Sequence, residues 1–307
     1  MICNPQGQSL KQIIMNKETF IPSVNFHVWE PCNMKCKFCF STFQDVKQSV
    51  LPEGHLAKVE AEQIVDQLAG FGFQKITFAG GEPTLCKWLP ELIAIAKNAG
   101  MTTMIVTNGS LLTESFLLKN KDILDWISIS IDSLEESTNL KTGRAVAGKR
   151  TMQRNNYEKI VETVSGLGYR LKINPVVNRY NFNEDMNSFI RFAKPERWKV
   201  LKALSIQGQN DKRIDEFSVS NRDFLSFIHK HEANKCLVSE YDEQMVNSYV
   251  MVDPAGRFFT NETGEYKYST KILENGIDNA YAEMNYDFSK FKDRNGFYQW
   301  ERRNGSL

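Results

Sequence analysis

The sequence predicts an α/β fold built on parallel strands, and three observations predict it. Short β-branched or aromatic runs alternate six times with longer stretches of helical periodicity. Parallel pairing through right-handed crossovers is how such a chain closes a core. Neither a fixed-period repeat nor a Pro/Ser-rich linker interrupts the alternation. The strand candidates are Val24–Trp29, Lys75–Ala79, Thr103–Thr107, Trp126–Ile131, Leu171–Val176 and Trp198–Ser205. Between them lie helical candidates near Val59–Leu68, Trp88–Lys97, Glu114–Leu118, Tyr157–Leu167 and Asn183–Phe192. This pattern leaves two architectures open, a doubly wound sheet and a curved partial barrel, and in both ligands gather at the C-terminal ends of the strands. From about Gln207 the rhythm stops. A helix near Asn221–His231 is followed by a hairpin, Tyr249–Val252 and Arg257–Thr260, joined through Asp253-Pro254-Ala255-Gly256. The last quarter therefore reads as an extension, not as another β/α repeat.

Length and composition fit one large globular domain. The 307 residues are 41% hydrophobic and 24% charged, which supports a substantial core and excludes disorder as the main state. With 38 basic and 37 acidic residues the net charge is +1, so no global field attracts nucleic acid or an anionic membrane. An anionic ligand must be met by a local cluster. The first residues lack the apolar core of an export signal, and no apolar run approaches the about eighteen residues that span a bilayer. A cytoplasmic protein without a membrane or nucleic-acid partner is expected.

Three of the six cysteines crowd into Cys32-Asn-Met-Lys-Cys36-Lys-Phe-Cys39, directly after the first strand. Thiolates so spaced on a loop can surround one face of a cubane and leave the fourth iron open to a small molecule. A zinc knuckle would need a fourth ligand nearby, and His27 and His55 are not at finger spacings. Cys3, Cys86 and Cys236 are too scattered to hold a second cluster and read as packing thiols.

The CxxxCxxC spacing, with aromatic Phe38 before the last cysteine, resembles the radical S-adenosylmethionine superfamily. Gly80-Gly81-Glu82-Pro83, after the second strand, is similar to that family's GGEP segment; by itself a Gly-Gly pair there would read as a turn. The resemblance implies a partial (βα)6 radical-SAM barrel over 22–206, preceded by an N-terminal segment, 1–21, and followed by a C-terminal extension, 207–307, covering the substrate site. It implies a [4Fe–4S] cluster on Cys32, Cys36 and Cys39, and S-adenosyl-L-methionine held by Phe38, Gly80, Gly81 and Glu82, with Ser130 and Arg144 at its carboxylate. Asn108, in Asn108-Gly109 at the end of the third strand, either approaches the cofactor or only turns the chain.

Residues two apart in a strand face the same way, so Lys172 pairs with Asn174 and Arg197 with Lys199, opposite apolar Trp198 and Val200. Such charged positions are usually solvated edges. If the apolar members pack under helices, however, the charged ones point inward, where they need an anion to neutralise them. Lys75, and Lys149-Arg150, extend that expectation, and a triphosphate is the anion that uses so many cations. Gly143 to Lys149 has the GxxxxGK spacing of a phosphate loop, but Arg150 stands where Ser or Thr must hold magnesium and the segment does not leave a strand. A kinase or ATPase is rejected.

Lys172-Ile-Asn174-Pro-Val-Val-Asn178-Arg179, Arg197-Trp198-Lys199-Val200 and Asn247-Ser248-Tyr249 resemble the viperin-like family, prokaryotic type, over about Val24 to Leu273. The resemblance implies dehydration of a ribonucleoside triphosphate to its 3′-deoxy-3′,4′-didehydro form, an antiviral chain terminator, with CTP favoured and UTP or GTP as alternatives. Lys75, Thr77, Lys172, Asn174, Arg197 and Lys199 then bind the nucleotide. Tyr249 is the candidate catalytic residue beside the ribose, and an electron donor such as flavodoxin or ferredoxin is the implied partner. Three features depart from the animal members. No amphipathic membrane helix precedes the barrel, Thr77 replaces an Asn beside the base, and the chain ends Asn304-Gly-Ser-Leu307 instead of in Trp. A radical enzyme acting on a peptide or cofactor precursor is the alternative within the superfamily; a non-catalytic zinc module is the alternative outside it.

Overall fold

The computed structural model describes residues 19–262 and 264–300. Cys3, most of the 1–21 segment and the ending at 304–307 lie outside the described residues.

Polar and apolar side chains alternate along the first strand, and that alternation determines its two faces. In β1 (Ser23–Trp29), Val24, Phe26 and Val28 are buried in the hydrophobic core, while Ser23, Asn25 and His27 line an internal cavity. The chain continues through α1 (Lys58–Phe71), β2 (Lys75–Gly80), α2 (Leu89–Asn98), β3 (Thr102–Thr107), α3 (Glu114–Asn120) and β4 (Trp126–Ile129). Next come α4 (Glu136–Thr142), a small hairpin of β5 (Ala145–Val146) and β6 (Arg150–Thr151), and α5 (Arg154–Gly166). Then follow β7 (Arg170–Ile173), β8 (Val176–Val177), α6 (Asn187–Ala193) and β9 (Arg197–Lys202). Local chemistry sets several ends: Gly72 closes α1 in the left-handed conformation, and Thr113 caps α3 by accepting from the Phe116 N–H at 3.2 Å.

Four later strands complete the sheet, β10 (Leu237–Glu240), β11 (Val250–Val252), β12 (Arg257–Thr260) and β13 (Lys267–Lys271), in the order β10-β9-β7-β4-β3-β2-β1-β11-β12-β13. If it were flat, β1 and β9 would stand roughly 24 Å apart, five strand spacings. Their inward side chains nevertheless line one cavity, so the sheet curls into a partial barrel. The expected α/β partial barrel is what the chain forms.

Three expectations need correction. The strand expected over Leu171–Val176 divides into β7 and β8 around Asn174-Pro175, because proline has no N–H for a ladder. Helix α4 was not anticipated; its seven residues, ESTNLKT, carry too little apolar periodicity to stand out. The rhythm also does not stop at Gln207. After α7 (Asn221–His231), β10 (Leu237–Glu240) runs parallel to β9, a further β/α repeat that its short, polar sequence concealed.

The expected hairpin exists as β11 (Val250–Val252) and β12 (Arg257–Thr260), extended by β13 (Lys267–Lys271). Strand β11 pairs parallel with β1, so the C-terminal region adds strands at both ends of the sheet. Helix α8 (Phe288–Asp293) follows, and the segment to residue 300 crosses the cavity. Among the described residues no helix is long and apolar enough to cross a membrane.

Candidate active site

One cavity of about 290 Å³ runs from the cysteine loop into the barrel. At its mouth Cys32, Cys36 and Cys39 are half-buried, free thiols. A tight turn, Cys39 N–H to the Cys36 carbonyl at 3.2 Å, folds the loop, and the Met34 N–H donates to the Cys32 sulfur at 3.4 Å. Burial pushes the Cys32 thiol up to about 11, Cys36 up to about 12, and Cys39 upward as well. Thiolates there must therefore be created by the charge of whatever metal they bind. Among the described residues, no three His, Cys, Asp or Glu side chains form a group that could hold a metal ion as they stand. A cubane asks for thiolates at separate corners instead of around one point, and three soft donors without a fourth fit it. Cys86 and Cys236 do not line the cavity.

Behind the loop, glycine allows a close approach. The Gly81 N–H donates to the Trp29 carbonyl at 2.6 Å and Glu82 N–H to the Pro31 carbonyl at 3.0 Å, tying the end of β2 to the chain that enters the cysteine loop. A Cβ on Gly81 would stand 2.0 Å from the Glu30 carbonyl oxygen, and Gly80 holds φ +143°. Gly81→Ala is accordingly expected to displace the loop, which iron content and visible absorbance after reconstitution will report as loss of most of the cluster. The carboxylate of Glu82 is fully buried and is not among the cavity-lining groups. It accepts from Thr107 Oγ1 at 2.7 Å and from the Asn108 N–H at 2.8 Å, clamping β2 to β3, so the Gly80-Gly81 backbone is what faces the cavity.

Asn108 lines the cavity and reaches the cysteine loop, donating to Asn33 Oδ1 at 2.9 Å. Ser130 also lines it, just past β4. Arg144 lies in the same wall over the Phe38 ring, 5.8 Å from its centroid, and Nε donates to Asp132 at 2.6 Å. Burial alone would lower its pKa, but Asp132 outweighs that and keeps the guanidinium charged. Gly143, from the false phosphate loop, caps α4 at φ +78° and accepts from the Lys35 N–H at 3.3 Å. Lys149 and Arg150 are exposed on the β5–β6 hairpin and do not line the cavity, because the chain turns there toward solvent.

Deeper in the barrel the lining becomes cationic. Lys75, Lys172, Arg197 and Lys199 are all buried and all face the cavity, as strand alternation predicted for Lys172, Arg197 and Lys199. Pairing register puts Ser128, Lys172 and Arg197 side by side on adjacent strands. Burial, reinforced by neighbouring cations, lowers Lys75 to about 7 and holds Lys172 well below the usual lysine range. Lys199 is likewise lowered to about 7, burial outweighing its partner Glu240. The Lys172 ammonium has no hydrogen bond or ion pair among the described residues. Thr77 Oγ1, Asn174 Oδ1 and Arg197 Nε are buried in the same walls without partners. Such a set is costly unless an anion with hydrogen-bonding groups completes it.

Sequence reasoning missed several lining residues. Asn25 and His27 were legible from the alternation in β1; burial drives His27 down to about 3, so it faces the cavity neutral. Arg294 and Tyr298, which line the cavity, and Glu240, which pairs with lining Lys199 from behind, carried no local signal. Arg294 stacks on Tyr249, its guanidinium 3.6 Å from the ring centroid, and donates to the Ser248 carbonyl at 2.7 Å. Tyr298 hydrogen-bonds Lys75 and lies under Arg197. Glu240, fully buried, pairs with Lys199 at 2.8 Å and accepts from the Tyr249 hydroxyl. Tyr249 therefore lines the cavity within an ordered polar group.

Comparison with known proteins yields three kinds of likeness. The Radical SAM superfamily model matches residues 28–193. An S-adenosylmethionine-dependent nucleotide dehydratase of Flammeovirga pacifica is 54% identical over 288 residues, spanning 94% of this chain and 99% of that protein. One from Danio rerio is 34% identical over 318 residues, spanning 100% of this chain and 86% of that protein. Among solved structures, Streptococcus suis SuiB bound to S-adenosylmethionine superimposes with a TM-score of 0.60 at 15% identity, over 78% of this chain and 60% of that one. Native anSMEcpe with bound AdoMet and a peptide does so at 0.58 and 17% identity, over 77% and 73%. At such identities the likeness is one of fold.

Proposed function

Since the chain belongs to the radical SAM superfamily and, within it, to the viperin-like nucleotide dehydratases, we propose that its substrate is a pyrimidine ribonucleoside triphosphate, CTP before UTP, with GTP the purine alternative. The product is the 3′-deoxy-3′,4′-didehydro nucleotide. Lacking a 3′-hydroxyl, it terminates chain growth, which is the antiviral use we assign it. One observation carries the reading: the cavity that has three cysteines at its mouth is lined inside by Lys75, Lys172, Arg197, Lys199 and Arg294, with Glu240 as their acidic counterpart.

A [4Fe–4S] cluster on Cys32, Cys36 and Cys39, with S-adenosyl-L-methionine beside the Gly80-Gly81 backbone, Asn108, Ser130 and Arg144, supplies a hydrogen-abstracting 5′-deoxyadenosyl radical when bound. The protein's own part is placement. Lys75, Lys172, Arg197 and Lys199 hold the triphosphate by charge-assisted hydrogen bonds, which fixes the ribose relative to the mouth. Thr77 and Asn174 offer their unpartnered oxygens to the sugar or base. The enclosing strands and the segment around Tyr298 keep water from the reacting carbon. Tyr249, hydrogen-bonded to Glu240 and Lys199, supplies the proton with which the 3′-hydroxyl leaves as water.

The test is anaerobic turnover of the reconstituted protein with dithionite against all four ribonucleoside triphosphates, read by mass spectrometry. CTP is expected to give a product lighter by one water, with 5′-deoxyadenosine alongside. A monophosphate should react poorly because it leaves most of the cationic lining uncompensated. If no triphosphate stimulates 5′-deoxyadenosine formation, the nucleotide assignment fails.

A further inference from the structure

Arg144 meets the cavity with only part of its guanidinium. Nε donates to Asp132 Oδ2 at 2.6 Å and Nη2 pairs with the same oxygen, whereas Nη1 has no partner among the described residues and the side chain lines the cavity. The guanidinium is planar, so a grip along one edge fixes where the remaining donors point. Their direction is set by whatever holds the gripping carboxylate.

Asp132 is held from several sides. Both partners are buried, Asp132 2% exposed and Arg144 8%. The other carboxylate oxygen, Oδ1, accepts from the Val176 N–H at 2.8 Å. That N–H follows Asn174-Pro175, where β7 gives way to β8. The Asp132 carbonyl accepts from Asn181 Nδ2, also at 2.8 Å. Arg144 is fixed from its own side: its N–H donates to the Asn139 carbonyl at 2.8 Å, and Asn139 Nδ2 donates to the Ser133 carbonyl at 3.1 Å. The carboxylate cannot swing away from Arg144 without orphaning the Val176 N–H. Compensating a buried arginine needs only a nearby carboxylate; this one is also aimed.

Resting on the reading that Arg144 meets the carboxylate of S-adenosyl-L-methionine, we propose that Asp132 is a positioning residue that holds the Arg144 guanidinium in the orientation receiving that carboxylate. Asp132 does not line the cavity and acts through Arg144. Its effect is confined to the carboxylate end of the cofactor, because its side-chain bonds run to Arg144 and Val176 and not to Asn108, Ser130 or the Gly80-Gly81 backbone.

The experiment measures, by calorimetry, binding of S-adenosyl-L-methionine and of its decarboxylated analogue to the cluster-loaded wild type, Asp132→Asn and Arg144→Gln proteins. The analogue keeps the adenosine, the sulfonium and the amino group. Asp132→Asn retains an oxygen for the Val176 N–H but turns a donor toward Arg144, and Arg144→Gln leaves Asp132 an amide donor. Asp132→Asn is expected to weaken S-adenosyl-L-methionine binding about tenfold and to change binding of the analogue by less than about twofold. Iron content and melting temperature report whether the variant folds and loads; should it load poorly, Asp132→Ser, smaller and equally uncharged, takes its place. Equal losses for the two ligands make Asp132 structural and overturn the proposal, as does S-adenosyl-L-methionine binding that Asp132→Asn leaves unchanged. If Arg144→Gln binds S-adenosyl-L-methionine as tightly as wild type, the placement of the carboxylate at Arg144 fails and the proposal with it. If Arg144→Gln loses affinity and Asp132→Asn keeps it, the proposal alone fails.

Discussion

Cys36→Ala is expected to abolish the cluster's visible absorbance and reduce S-adenosylmethionine cleavage to background, and Cys32→Ala and Cys39→Ala to do the same. Three protein thiolates are the minimum that leaves a cubane one open iron, and among the described residues no further cysteine lines the cavity: Cys86 and Cys236 lie outside it. Their alanine variants should keep both cluster and activity. Folding should survive in all five, because these thiols are small groups and the loop is also fastened by backbone bonds to Thr142, Gly143 and Ala147. A Cys36→Ala protein that retains iron and full activity would remove the assignment.

The second large effect concerns the cationic interior. Lys172→Ala and Arg197→Ala are each expected to weaken triphosphate binding about hundredfold, because each leaves phosphate charge unpaired in a buried site. S-adenosylmethionine binding should change little. Fold stability separates this from a structural role. Lys172 is buried among Lys75, Arg197 and Lys199, so removing it relieves repulsion and the unliganded protein should lose no thermal stability. Equal losses for both ligands, or a lowered melting temperature, would make Lys172 structural.

The same lysines predict a pH dependence. Lys75 and Lys199 titrate near 7 in the unliganded site, chiefly through burial. A bound polyanion raises both values, so binding takes up protons between the unliganded and the bound pKa. Affinity should therefore be strongest below about pH 7 and decline as pH rises toward 9, by up to about tenfold per unit for each fully coupled lysine. Calorimetry in buffers of different ionisation enthalpy measures the proton uptake directly.

Much of this site could be read before any coordinates. The cysteine spacing survives as a motif because a cluster demands three thiolates on one short loop, so its ligands are local in sequence. Lys172, Asn174, Arg197 and Lys199 were legible because a strand turns alternate side chains to one face, and Trp198 and Val200 mark the other. Asn25 and His27 obeyed the same rule in β1 and could have been read from it. The alternation of strands and helices likewise predicted the parallel core, since it reflects periodicities within single elements.

Tertiary structure alone decided the rest. Whether the sheet stays open or curls depends on twist summed over many strands, and so on no local pattern. Strand β10 was too short and polar to announce itself, yet pairing with β9 makes it part of the sheet and carries Glu240 to Lys199. Glu82 looked like a ligand in sequence; the approach of β3 turned its carboxylate into a clamp on Thr107 and Asn108. Arg294 and Tyr298 lie far along the chain from the groups they cover, where the chain's return across the barrel, not any motif, gives them Tyr249, Arg197 and Lys75 as partners. Sequence determined which residues could do the chemistry wherever the constraint acts within one loop or strand. Folding decided which charges would be paired, because pairing depends on distances between segments that sequence order leaves undetermined.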